Sequence, residues 1–113
     1  MEITSYPSLE PFTTKDGSTI RELMHTPSQS LAEAVVAPGQ ATQRHYHARS
    51  EELYSFLAGG GELELDGEVR TVAAGDTVRI PPGAWHTVTG GPEGARFLCC
   101  CAPPYAHDDT FFA

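Results

Sequence analysis

The stretch RHYHARSEE, Arg44 to Glu52, sets two histidines one residue apart and follows them with a pair of glutamates. On an extended strand, residues two apart share a face. His45 and His47 therefore project side by side, Tyr46 points the opposite way, and Gln43 falls one step earlier on the histidine face. Two imidazoles so placed can converge on one metal ion with bonds of about 2 Å. The carboxylate that would join them is Glu51 or Glu52. Alternation aligns Glu52 with Tyr54 and Phe56, and Glu51 with Leu53, Ser55 and Leu57. Both sets are partly apolar, and the bend at Ala48–Ser50 can break the phase, so alternation does not choose between them.

A third histidine stands in GDTVRIPPGAWH. Gly75 opens a strand, Pro81-Pro82-Gly83 makes a turn, and His86 begins the next strand, so this imidazole sits at a defined place beyond a rigid corner. Trp85, its neighbour, points away by alternation and reads as packing. Three imidazoles and one carboxylate suit a borderline first-row ion and leave positions open when that ion takes five or six bonds. Open positions distinguish a catalytic metal site from a closed structural one.

The elements that must hold these residues read as strands. STIRELM after Asp16-Gly17, SLAEAVV before Pro38-Gly39, the short TQRHYHA and the aromatic ELYSFLAGG form the first half. GELELDGEVRTV is two alternating runs about Asp66-Gly67, a pair suited to a tight hairpin turn. TVRI and the segment from His86 flank the proline turn, and ARFLCCCA is a last apolar strand stopped by Pro103-Pro104. Eight or nine short strands at close spacing imply an all-β sandwich or barrel.

The chain of 113 residues is one domain, with eleven glycines and nine prolines spread between the apolar runs. A net charge of −8, with no three basic residues adjacent, argues against nucleic acid as a partner. No apolar run reaches the roughly eighteen residues of a membrane span, and the N-terminus has no signal-peptide pattern. Cys99, Cys100 and Cys101 are adjacent and odd in number, a poor disulfide framework, so they read as reduced core thiols in a cytoplasmic protein.

Together the two histidine segments resemble the cupin superfamily, in particular its small single-domain bacterial members. The first cupin motif, G-x5-H-x-H-x3,4-E-x6-G, is met by Gly39, His45, His47, Glu52 and Gly59, and this count selects Glu52 over Glu51. The second, G-x5-P-x-G-x2-H-x3-N, is met by Gly75, Pro81, Gly83 and His86, with Gly90 where the asparagine is expected. The resemblance implies a jelly-roll β-barrel of two antiparallel sheets over 18–102, between an N-terminal arm (1–17) and a C-terminal tail (103–113). It implies one divalent transition metal ion (Mn, Fe, Ni, Cu or Zn) held by His45, His47, Glu52 and His86. Tyr54 and Phe56 would line the cavity, and Gln43 would hydrogen-bond a ligand or water. Arg21, Arg79 or Arg96 would anchor a substrate carboxylate if turned inward, and Cys99 and Cys101 share a strand face near the ion. His25 and His107 lie outside both motifs, though His107 could reach a neighbouring subunit's cavity.

Members of the superfamily often dimerise through arms and tails, and Tyr6, Phe12, Tyr105, Phe111 and Phe112 make both ends of this chain candidates for crossing to a partner. The function implied is a small-molecule metalloenzyme of isomerase, lyase or dioxygenase type. The alternative is a non-enzymatic module that uses the metal to bind a sugar or small acid. A metal-free scaffold fits least, because buried histidine and glutamate would need other partners.

Overall fold

The structure is a computed structural model that describes residues 1–14 and 16–113. Lys15, within the expected N-terminal arm, lies outside the described residues. Among the described residues nine strands run in chain order: β1 Phe12–Thr13, β2 Thr19–His25, β3 Ser30–Val36, β4 His45–His47, β5 Glu51–Leu65, β6 Glu68–Ala73, β7 Thr77–Ile80, β8 His86–Ala102 and β9 Thr110–Phe112. Every pairing is antiparallel. Among the described residues there is no α-helix, hence none long and apolar enough to cross a membrane.

Two strands organise the barrel. The first half of β5 pairs with β7 and with the second half of β8, which continues through β3 and β2 to β1. The second half of β5 pairs with β6 and with the first half of β8, which continues through β4 to β9. The two sheets of the jelly roll are thus one hydrogen-bonded surface folded over along β5 and β8. The fold line needs glycine. A Cβ on Gly59 would lie 2.1 Å from the Gly94 carbonyl oxygen, and one on Gly61 would lie 1.9 Å from that of Thr89. Separate strands are expected from His86 and over Ala95–Ala102, but β8 is continuous because its glycines let the chain bend without breaking the ladder.

Gly90, which stands where the second motif has asparagine, is explained by the same crowding. Its Cβ would meet the Ala37 carbonyl oxygen at 2.3 Å, while its own N–H donates to Gln40 and its carbonyl accepts from Gly39. Only glycine fits there without a shift of backbone.

Alternation sorts the strand residues as the pleat requires. Glu52, Tyr54 and Phe56 of β5 are buried, as are Ala34 and Val36 of β3 and Ala95, Phe97 and Cys101 of β8. The apolar core gathers Phe56, Phe97, Ile80, Val36, Val88 and Leu63. The expected hairpin is present, Leu65 pairing with Glu68 across Asp66 and Gly67, both at positive φ.

Both ends of the chain, expected as an arm and a tail available to cross to a partner, form strand pairs within their own chain. β1 extends the first sheet beside β2, and Tyr6 reaches the buried Glu33 through a 3.1 Å hydrogen bond. At the other end β9 pairs with β4 of its own chain: His45 with Phe112, Tyr46 with Phe111, His47 with Thr110. Phe111 stacks on Tyr46 at 5.1 Å and Phe112 lies against the His45 ring at 5.7 Å, while Phe111, Tyr6 and Phe12 each keep an exposed face.

Candidate metal centre

Three short connections deliver the candidate ligands. β4 carries His45 and His47 with Tyr46 turned outward, where Trp85 and Arg44 pack beside it. The Ala48–Ser50 bend leads into β5 and Glu52. The Pro81–Gly83 turn ends at β8, where His86 pairs directly across from His45. That turn is tied to the ligand strand itself, since the Gly83 N–H donates to the His47 carbonyl at 2.7 Å. Gly83 holds φ at +82°, a left-handed corner that side-chain-bearing residues seldom adopt.

His45, His47, Glu52 and His86 are all buried, and one ligand atom from each lies within 4.8 Å of the others. The Glu52 Oε1 atom stands 3.4 Å from His47 Nε2 and 3.3 Å from His86 Nε2. Neither Glu52 Oε1 nor His86 Nε2 has a hydrogen-bond partner among the described residues. The opposite ring nitrogens explain why. His45 Nδ1 lies 2.7 Å from the Gln43 carbonyl and His86 Nδ1 lies 3.0 Å from the Ala84 carbonyl. A carbonyl only accepts, so Nδ1 carries the proton in both rings and Nε2 is left as a bare lone pair. Lone pairs of imidazole and carboxylate facing one another in a buried space repel, and a cation between them turns that repulsion into coordination. The donor set fits a divalent transition metal ion on this observation.

The remaining Glu52 oxygen, Oε2, accepts from the Cys101 thiol at 3.3 Å. Burial alone would raise the Glu52 carboxyl, but the facing His47 and His86 outweigh it and hold it well below the usual carboxylate range. Burial, with His86 close by, pushes His45 down toward its neutral form. Burial pushes the Tyr54 phenol and the Cys99 and Cys101 thiols up, so all three keep their protons.

A cavity of about 70 Å³ opens beside this cluster, walled by His45, His47, Glu52, Tyr54, Cys99, Cys101 and Phe97 and by residues of both chain ends. His86 lies wholly buried behind His45, with ring centroids 4.2 Å apart. Several sequence expectations are corrected here. Gln43 is exposed, and its backbone carbonyl rather than its side chain serves the site. Phe56 is barrel core and does not reach the cavity. The arginines point elsewhere: Arg21 and Arg96 bind Glu33, and Arg79 binds Glu51. No lysine or arginine lines the cavity among the described residues. His25 and His107 are exposed.

Other contributors went unforeseen. Thr42, Asp16, Ser18 and Glu22 add polar atoms to the lining, while Phe12, Tyr105, Thr110 and Phe112 bring both termini to the cavity. Cys99 and Cys101, expected on one strand face near the ion, both line the cavity, whereas no local pattern marks Thr110.

Comparison with known proteins agrees with this geometry. A family model described as a cupin domain matches residues 32–101. An uncharacterized protein of Methanocaldococcus jannaschii is 46% identical over 113 residues, covering 95% of this chain and 90% of that protein. Dimethylsulfoniopropionate lyase DddW of Ruegeria pomeroyi is 37% identical over 67 residues, which is 59% of this chain but only 43% of the lyase. Among solved structures, the Streptomyces nucleoside dehydratase Pac13 superposes with a TM-score of 0.86 over 100% of this chain and 91% of its own, at 21% identity.

Proposed function

Since this chain belongs to the cupin family, we propose that it is a mononuclear metalloenzyme acting on a small organic molecule by lyase or isomerase chemistry. The observation that carries the reading is the buried convergence of unpartnered lone pairs from Glu52 and His86 with His45 and His47. Four protein ligands leave positions free on a five- or six-coordinate ion. A divalent ion bound there supplies a Lewis acid that polarises a carbonyl or hydroxyl oxygen and eases loss of a neighbouring proton or leaving group.

The chain's own groups support that chemistry. Tyr54 stays protonated in the cavity wall and can donate a hydrogen bond to a substrate oxygen. Thr42 and Ser18 offer further hydroxyls, while Phe97, Tyr105 and Phe112 restrict water. Asp16, Glu22 and Glu52 set carboxylates into the lining, which favours a neutral hydroxy-carbonyl compound over a dianion. Two reduced thiols, Cys99 and Cys101, border the same space. They would be exposed to oxidation if dioxygen were activated beside them, which favours lyase or isomerase over dioxygenase chemistry. The relatives named as a lyase and a dehydratase lie in the same direction. The three free cysteines favour a reducing, cytoplasmic location.

Elemental analysis of tag-free protein, prepared without chelator, tests the reading. One zinc, nickel or manganese per chain with turnover of a hydroxy-carbonyl compound is the expected result. Iron or copper with substrate-dependent oxygen consumption would overturn the reaction class. No bound metal and no uptake would overturn the metalloenzyme and leave a binding scaffold.

A further inference from the structure

We propose that the C-terminal segment completes the metal site, with Thr110 acting as the residue that holds His47 in its metal-binding tautomer. The inference rests on the metal-site reading. His45 and His86 each have their Nδ1 proton fixed by a carbonyl, but His47 Nδ1 faces the Thr110 hydroxyl at 3.1 Å, and a hydroxyl can donate or accept. The Thr110 proton has another destination, since Oγ1 lies 3.0 Å from the Ala106 carbonyl, which can only accept. Once Thr110 donates to Ala106, its lone pair receives the Nδ1–H of His47, and His47 Nε2 is left bare toward Glu52. One relay, from ring to hydroxyl to carbonyl, gives His47 the orientation that backbone carbonyls give the other two histidines.

The segment that carries Thr110 is secured around the same site. Asp109, 3% exposed, accepts from the Arg49 and Ser50 N–H groups at 3.1 and 3.2 Å, in the bend between the two ligand strands. Ser50 Oγ donates to the Pro103 carbonyl at 2.8 Å, and the Tyr105 N–H donates to Ser30 Oγ at 2.9 Å. The Tyr105 ring meets His47 edge-on at 5.8 Å, and Phe112 covers His45. The tail thus braces His45, His47 and the bend leading to Glu52, and within it the Thr110 hydroxyl lies at hydrogen-bond distance from a candidate ligand ring.

Two measurements test the role. The first is the 15N spectrum of His47 in the metal-free protein at about pH 8, above the ordinary histidine range. The Nδ1–H tautomer is expected in the wild type, and an Nε2–H tautomer would overturn the proposal. The second is zinc affinity, measured by competition with a chelating dye for wild type, Thr110→Ser and Thr110→Val. Thr110→Ser should bind within about threefold of wild type, while Thr110→Val should lose roughly 10- to 100-fold, the range for groups that orient metal ligands. In Thr110→Val, His47 should show both tautomers. Equal zinc affinity in Thr110→Val and wild type, with His47 unchanged, would overturn the proposal, as would an equal loss in Thr110→Ser. Failure of the wild type to bind zinc or any other divalent ion would strike the metal reading instead, and the tautomer spectrum would still decide the role of Thr110.

Discussion

Two buried glutamates lie on opposite faces of the same sheet and serve opposite ends. Glu33, 2% exposed, has both oxygens engaged: Oε1 accepts from Tyr6 and Arg21, Oε2 from Arg96. Glu52, 4% exposed, has Oε2 on the Cys101 thiol, while Oε1 has no donor and faces imidazole nitrogens. A buried acid with a full set of donors is a clamp, here pinning the N-terminal arm to the outer face of β2, β3 and β8. A buried acid with one oxygen deliberately short of donors is half of a site. Neither burial nor residue type separates the two; the account of each oxygen does.

The largest effect should come from removing the Glu52 charge. Glu52→Gln should lower metal affinity by more than about 100-fold, beyond the range for orienting groups, and His47→Ala should likewise abolish stoichiometric metal while leaving a folded barrel. Metal retained in full by either variant, read by elemental analysis against circular dichroism, would break the ligand assignment.

Glu33→Gln should behave in reverse. It should cost about 1–3 kcal/mol of stability by weakening charge-assisted hydrogen bonds, seen as a lower urea midpoint, and leave metal affinity unchanged. An altered metal affinity in Glu33→Gln would erase the contrast. Between these lies the thiol: Cys101→Ala should weaken metal binding by roughly 10-fold, and Cys101→Ser, which still has a proton to donate to Glu52, should recover most of the loss. Equal binding in all three proteins would show that Oε2 needs no support.

The smallest expected effect is a pH dependence. Burial raises the Glu33 carboxyl, but Arg96, Tyr6 and Arg21 together bring it below its ordinary value. A carboxyl lowered in the folded state adds stability that is present above the unfolded value, about 4.3, and is lost as pH falls through the folded one. The stability gap between wild type and Glu33→Gln should therefore narrow as pH drops below about 4. A gap that stayed constant down to full protonation would show that hydrogen-bond shape, not charge, holds the arm.

The sequence by itself went far toward the fold and the candidate ligands. Strand alternation pairs His45 with His47, and local turn chemistry marks Gly75, Pro81 and Gly83 ahead of His86, whereas Glu52 is selected over Glu51 only by the resemblance to the cupin motif. Other features had no local signature. Arg21 and Arg96 are 75 residues apart in the chain and meet only because β2, β3 and β8 are neighbours in one sheet. Gln43 satisfied the alternation rule, yet the chain reaches β4 only at His45, so its side chain turns to solvent. Gly90 looked like a lapse in a motif until the Ala37 carbonyl was seen to fill the space of its side chain. Thr110 lies 63 positions from His47 and is its cross-strand partner. Local conformation follows from neighbouring residue types, whereas a hydrogen-bond partner across the barrel is chosen by strand order and register, which exist only once the sheets have closed.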